Sequence, residues 1–130
     1  MSQRVGRVGP ENAAATVVGL MLQRSEPEPR CHMISVTGEV DMLTAPQLSE
    51  LITAELAAAK RCLVLDLTGV SFLGSSGLVA LVAARDLAAQ RAVALRLVCS
   101  SSTVLRPIMI TGLTQMFSIH DSLADALAQS

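Results

Sequence analysis

The chain has 130 residues, 51% of them apolar, and carries a formal net charge of −1 at pH 7. This length predicts one domain that can bury a core without disulfide or metal staples. The near-neutral charge, with two Phe and no Trp or Tyr, argues against a nucleic-acid or anionic-membrane binder, which would need a basic surface or stacking rings.

The apolar stretches of the sequence indicate where in the cell the protein is expected to act. The longest wholly apolar run, residues 78–84, is far short of the roughly 18–20 residues that span a bilayer. The N-terminal segment MSQRVGRVGPEN has no apolar stretch typical of a secretion signal. We therefore expect a cytoplasmic protein with a flexible polar tail over residues 1–13 and a folded domain over residues 14–130.

The predicted elements begin with two strands. Residues 15–22 are β-branched and apolar and predict the first strand, and residues 23–30, with two prolines, predict a turn. Cys31–Val40 is the second predicted strand, where Gly38 indicates a bulge or a close backbone approach. A helix should follow to about residue 60, with Thr44 as N-cap and Gln47 at capping-box spacing.

The second half of the chain alternates strands and helices. Strands are predicted at residues 62–67, 93–98 and, as a short last strand, 116–119. A loop at residues 67–74 is predicted to follow the strand that begins at residue 62. Helices are predicted over residues 76–90, around Pro107, and after Asp121 or Ser122. Pro107 predicts a late start, a kink or a break, and Gly112 marks the end of that helix.

This order predicts an α/β domain. We expect a mostly parallel sheet of four to five strands with an antiparallel N-terminal edge strand, packed with about four helices. Function in such sheets gathers at the carboxyl ends of strands and at helix N-termini. Three loops meet that description, at residues 38–44, 68–76 and 99–103.

Cysteine spacing predicts no metal site and no cofactor. The three cysteines, Cys31, Cys62 and Cys99, form neither a CxxC pair nor a Cys/His metal pattern. They are most simply small buried hydrophobic residues. Cys31 and Cys62 would both begin adjacent parallel strands, close enough for a disulfide if those strands pair, so a redox pair stays open as an alternative.

The segment FLGSSGL, residues 72–78, contains two serines between two glycines. A nucleophile elbow needs G-x-S-x-G, but residue 78 is Leu, and the candidate bases lie early in a predicted strand (His32) and near the last predicted helix (His120). A P-loop needs Lys where Ser75 stands. We therefore expect no enzyme activity.

A helix cap is the simplest role for Ser75. Its hydroxyl could accept a hydrogen bond from the backbone N–H of Gly77 or Leu78. One cap does not require the second serine, Ser76, however. Gly77 in the first helical turn is also a weak choice unless another group approaches the helix closely there.

Residues 63–78, LVLDLTGVSFLGSSGL, resemble the signature of the STAS-domain anti-sigma factor antagonists. The similarity extends to TGEVD at 37–41, to the helix after Thr44 and to TGL at 111–113. It implies a small α/β domain that sequesters an anti-sigma factor, usually a serine kinase of the histidine-kinase-like ATPase type, and so releases a sigma factor. Phosphorylation then breaks the complex.

The resemblance also implies where the phosphate goes. In the family's D-S-[ST]-G motif the first serine is the acceptor, which is Ser75 here, with Ser76 as second choice. The acidic residue before that serine is Gly74 in this chain, so phosphorylation is expected to be slow, altered or absent if the carboxylate assists the kinase. Pro107 departs from the family's more usual helix former.

The expected partner-binding residues lie at the strand ends and the helix start, and they are Glu39, Asp41, Thr44, Phe72, Gly74, Ser75, Ser76 and Gly77. Asp41 has two readings, a loop cap or a carboxylate that binds the partner or positions the kinase. Asp66 should bond loop N–H groups, because a carboxylate in an apolar strand needs a partner.

Two functional classes stay open at this point. The first is an antagonist controlled by phosphate, with a protein partner, no nucleic acid and no membrane. The second is a STAS scaffold or interaction module without phosphate control, either redox-responsive through Cys31 and Cys62 or part of a signalling or lipid-transport assembly. The oligomeric state is open, with a homodimer among the alternatives.

Overall fold

The computed structural model describes residues 14–17, 19–59 and 61–128. The expected tail, residues 1–13, lies outside the described residues. The strands are β1 (Ala14–Val17), β2 (Leu20–Glu28), β3 (Cys31–Val40), β4 (Cys62–Leu73), β5 (Ala94–Val98) and β6 (Ser118–His120). The helices are α1 (Ala45–Ala58), α2 (Ser75–Gln90), α3 (Ser102–Ile110) and α4 (Leu123–Ala128), with a 3₁₀ turn at Thr114–Met116.

One sheet holds all six described strands in their chain order. The pairs β1–β2 and β2–β3 are antiparallel, and the pairs from β3 to β6 are parallel. The mostly parallel α/β class with an antiparallel N-terminal edge is therefore confirmed. The sheet gains a strand over the prediction because residues 15–22 are not one strand: the chain turns at Gly19, whose φ is +87°.

Two predicted loops are strand instead. β2 continues to Glu28, so the turn is reduced to residues 29–30, and a register shift between Ser25 and Glu28 accommodates the proline-containing stretch. β4 continues to Leu73, beyond the predicted end at residue 67, and register shifts against β3 break its alternation. Its buried residues near the end recur every third position, at Leu67, Val70 and Leu73, which is why the segment did not look like a strand.

Two helix details also differ from the predictions. Thr44 precedes α1 as expected, but its side chain does not bond the helix N–H groups, so no capping box forms. Pro107 lies inside α3, which runs without a break from Ser102 to Ile110. The carbonyl that loses its partner belongs to Thr103, an exposed residue, where water can bond it. Gly112, at φ +74°, follows α3 as predicted.

The core lies on both faces of the sheet. Side chains that alternate along β4 separate accordingly: Leu63 and Leu65 join the larger cluster with α1, α2 and α3, while Cys62 and Val64 join a smaller one with Ala126 of α4. Gly38 permits the bulge that bends β3, since its φ is +112° and a Cβ there would collide with the Gly19 carbonyl oxygen. No helix among the described residues is long and apolar enough to cross a membrane.

The cysteines depart from the simplest expectation of three reduced thiols. Cys31 and Cys62 are register partners on β3 and β4, with Cα atoms 4.7 Å apart, and form a disulfide. Both are fully buried. Cys99 is buried and free, and burial, helped by Asp121, raises the pKa of its thiol to about 11. A thiol with that pKa stays protonated, and hence unreactive, at neutral pH.

Candidate functional site

The carboxyl ends of β3, β4 and β5 lead into the residues that sequence analysis singled out. The N–H of Gly74 donates to the carbonyl of Val40 (2.9 Å) and so ties the end of β4 to the end of β3. The carbonyl of Gly74 then accepts from the N–H groups of Gly77 and Leu78 (3.0 and 3.1 Å). These bonds fix where α2 begins, directly above the sheet edge.

Ser75 is the first residue of α2 and not its cap. Gly74 occupies the N-cap position, with φ −88° and ψ −177°, and no side chain caps the helix. The predicted capping bond from Ser75 is therefore wrong, because its hydroxyl lies one position too far into the helix to reach back to the N–H groups. The hydroxyl is exposed and has no hydrogen bond to the described residues.

The two glycines of the motif have packing roles. A Cβ on Gly77 would lie 2.5 Å from Leu73 Cδ1 and 2.8 Å from Val40 Cγ1, so the group that approaches the helix start is the protein's own core. Gly77 is buried accordingly. A Cβ on Gly74 would lie 3.0 Å from Phe72 Cε2, so the aromatic ring covers the N-cap position.

Asp41 and Thr44 form a closed hydrogen-bond cluster. Asp41 Oδ1 accepts from the N–H of Leu43 (2.9 Å) and of Thr44 (3.0 Å). Thr44 Oγ1 accepts from the N–H of Asp41 (2.9 Å) and donates to the carbonyl of Glu39 (2.7 Å). The carboxylate of Asp41 therefore acts as a loop cap, and Thr44, only 2% exposed, has no surface to offer a partner.

Large apolar side chains surround this site on the outside. Within the described residues they are between 51% and 82% exposed, and they are Met42, Leu43, Phe72, Val79, Met109 and Ile110. Of these, only Phe72 was among the predicted partner-binding residues. The others follow helical or loop patterns in the sequence that give no sign of which side faces outward, since α2 and α3 are apolar on more than one side.

Two cavities flank the first turn of α2. One, of about 470 Å³, lies between α2 and α3 and includes Ser75, Thr103, Arg106 and Ile110 on its wall. The other, of about 450 Å³, continues along α2 past Val79 to Asp86. Ser75 lines both of them.

The remaining polar candidates are engaged elsewhere. His32 Nδ1 lies 2.6 Å from Glu55 Oε1, and His120 lies within hydrogen-bond distance of Ser118 and Asp125. Neither histidine contacts a serine of the FLGSSGL segment. Asp66 accepts from the N–H and the hydroxyl of Thr68 (3.1 and 2.7 Å), which confirms the expected loop bond. No group of three potential metal ligands occurs among the described residues.

The structure is a small α/β domain in which a serine lies at the start of a helix, at the carboxyl edge of the sheet. Comparison with known proteins identifies the family of this domain. The STAS domain family model matches residues 24–126. The chain therefore belongs to the STAS domain family, and it is similar in sequence to anti-sigma factor antagonists.

Two of these relatives are similar in sequence over most of the chain. The anti-sigma-F factor antagonist RsfB of Mycobacterium tuberculosis is 39% identical over 95 residues, which covers 73% of this chain and 77% of that protein. The anti-sigma-B factor antagonist of Listeria monocytogenes is 36% identical over 88 residues, which covers 68% of this chain and 77% of that protein.

Solved structures agree on the fold. An anti-sigma factor antagonist from Mycobacterium paratuberculosis superposes with a TM-score of 0.73 at 36% identity, covering 84% of this chain and 90% of that one. The antagonist SpoIIAA in its unphosphorylated form gives a TM-score of 0.70 at 19% identity, covering 83% and 94%. The second likeness supports the architecture alone.

Proposed function

We propose that this chain binds and sequesters an anti-sigma factor, and that phosphate on Ser75 breaks the complex. We define the docking face as six residues at the carboxyl sheet edge, namely Met42, Leu43, Phe72, Ser75, Ser76 and Val79, of which all but the half-buried Ser76 are exposed. The observation that carries the proposal is the exposed hydroxyl of Ser75, which has no hydrogen bond within the described part of the chain and lies between these apolar side chains. The role is binding and not catalysis, and it belongs in the cytoplasm, where a sigma factor acts.

The phosphate would come from a partner that is itself a serine kinase. Ser75 Oγ attacks the γ-phosphorus of a nucleoside triphosphate held by that kinase. The Oγ–P bond forms, the bond from phosphorus to the bridging β–γ oxygen breaks, and the nucleoside diphosphate leaves. The hydroxyl proton passes to a base of the kinase, which this chain does not need to supply.

A phosphate at this position leaves the fold intact. Ser75 lies in the first turn of α2, which has no side-chain cap among the described residues and where the helix dipole favours negative charge. The modification adds roughly 1.5 to 2 negative charges to an apolar docking face. A partner would have to desolvate that charge on binding, which costs several kcal/mol unless the partner supplies a matching cation.

Binding measurements with the purified anti-sigma factor test this proposal. Ser75→Asp, and protein with phosphoserine installed at residue 75, should bind about 100-fold more weakly than the unmodified chain, equivalent to about 3 kcal/mol. Circular dichroism should remain native. Ala54→Asp, which adds the same charge on the exposed surface of α1, is the matched control and should bind normally. Unweakened binding of the phosphorylated protein would refute the switch.

A redox-responsive module is the second candidate, and the Cys31–Cys62 disulfide is the observation that favours it. The bond lies at the amino ends of β3 and β4, about 30 Å along the strand from the docking face, so an effect on binding would have to pass through the sheet. Intact mass and thiol alkylation at neutral pH, with and without a reductant, test it alongside partner affinity.

The expected labelling pattern follows from burial and pKa. Without reductant the folded chain should take up no label, because Cys99 is buried and protonated, and denaturation should expose one thiol. After reduction and denaturation three thiols should react. Partner affinity that is the same for the reduced and oxidised forms would eliminate redox control while leaving the phosphate switch untouched.

A further inference from the structure

We infer that Arg106 receives the phosphate carried by Ser75, so that phosphorylation ties the start of α2 to α3 across the cavity between them. This inference rests on the proposed phosphorylation of Ser75. Phosphorylation would then have two effects on the surface: it would add negative charge, and it would fill the cavity between α2 and α3.

Ser75 and Arg106 face one shared cavity. Ser75 and Arg106 lie on the wall of the same 470 Å³ space. Of the described residues that line it, only Arg106 carries a charge, and its neighbours there include Leu78, Pro107 and Ile110. The cavity is open to solvent and both residues are exposed, so the pairing would rest on direct contact between guanidinium and phosphate.

The guanidinium of Arg106 is available to a phosphate, unlike those of Arg85 and Arg96. It makes no hydrogen bond or ion pair with the described residues. By contrast, Arg85 donates to the carbonyl of Met116 (2.8 Å), and the buried Arg96 donates to the carbonyl of Ala126 (2.8 Å). A guanidinium presents a planar fork of N–H donors that matches two phosphate oxygens at once.

The remaining groups on this wall support an anion and do not oppose it. Ser102 and Thr103 contribute hydroxyls at the start of α3, where the first N–H groups have no side-chain cap. The acidic residue that shares a cavity with Ser75 is Asp86. It lies three helical turns away, at about 16 Å, and is paired with Arg85 (3.2 Å).

The phosphorylated chain would therefore present a different surface from that of the unmodified chain. In the unmodified chain the cavity stays open, and apolar groups of a partner can enter between α2 and α3. In the phosphorylated chain the Ser75 phosphate and the Arg106 side chain occupy that space and neutralise each other in part. Loss of binding then follows from the filled cavity as well as from the added charge.

Phosphorus NMR of the protein with genetically encoded phosphoserine at residue 75 tests the inference without any kinase. The second pKa of a phosphoserine is ordinarily about 6, and a guanidinium within a few ångströms should lower it by about one unit. The decisive comparison is with Arg106→Gln in the same phosphorylated chain, since the helix N-terminus acts equally in both. Arg106→Gln should raise the pKa back by most of that unit, and Arg106→Lys by less.

Arg91→Gln, which removes an exposed charge at the opposite end of α2, is the matched control and should leave the phosphate pKa unchanged. A phosphate pKa that is identical with Arg106 and with Gln at that position would overturn the inference. Partner affinity measured on the same samples reports on the proposed switch separately. A phosphate that pairs with Arg106 but leaves binding intact would refute the switch and not the pairing.

Discussion

Replacing Glu55 with Ala is expected to lower the free energy of unfolding by about 3–5 kcal/mol, the cost of breaking a buried ion pair by removing one partner. Glu55 is buried on α1. Its Oε2 lies 2.8 Å from Arg24 Nε and its Oε1 lies 2.6 Å from His32 Nδ1. Truncation removes the carboxylate that both groups face and leaves a cavity beneath the helix. Urea unfolding followed by circular dichroism measures the change.

Two variants make this result specific. Glu50→Ala removes an exposed acidic residue from the same helix and should change stability by no more than about 0.5 kcal/mol. Glu55→Gln keeps the shape and one hydrogen bond but removes the charge, and should fall between the two. If Glu55→Ala unfolds at the same urea concentration as Glu50→Ala, the network makes no net contribution to stability.

This network was not predicted because its three members come from β2, β3 and α1. Sequence patterns report local periodicity, and Glu55 falls among the apolar positions of α1 without any sign of what it faces. The elements that were predicted well are those whose signal is local. β3 has its predicted bounds, Cys31–Val40, and Gly112 follows α3 as its composition suggested.

The elements that were missed depend on neighbours in space. β4 runs to Leu73 because register shifts against β3 let an irregular stretch keep pairing, and no pattern within residues 67–73 encodes that partner. Similarly, Gly74 takes the N-cap position of α2 because its N–H is held by the carbonyl of Val40. The prediction placed the cap one residue later, at Ser75, because a serine side chain is favoured at the N-cap position.

The candidate site was predicted in part for the same reason. Ser75 and Phe72 lie exposed at the carboxyl sheet edge, where parallel-sheet topology places functional residues. Thr44 and Gly77 lie near them but face inward, because one is held by three backbone and side-chain bonds and the other is packed against the core. Proximity in the sequence does not show whether a side chain faces the core or the solvent, because the helix is apolar on several sides.

Replacing Val79 with Glu is expected to weaken binding of the anti-sigma factor about 100-fold while leaving Ser75 itself unchanged. Val79 is four residues after Ser75 on α2, so both side chains lie on one face of the helix, and Val79 is 68% exposed. An unpaired carboxylate buried at an apolar contact costs about 3 kcal/mol or more. Glu keeps the helix propensity high, so the fold should be retained.

Isothermal titration calorimetry with the purified anti-sigma factor measures this effect, and Ala54→Glu is the matched control. It places the same side chain on the exposed surface of α1, outside the docking face, and should bind like the unmodified chain. Equal weakening by both variants would point to net charge and not to a contact at α2. Full binding by Val79→Glu would move the docking face away from this surface of α2, and the Ser75 phosphate would then have to act on the partner from outside the interface.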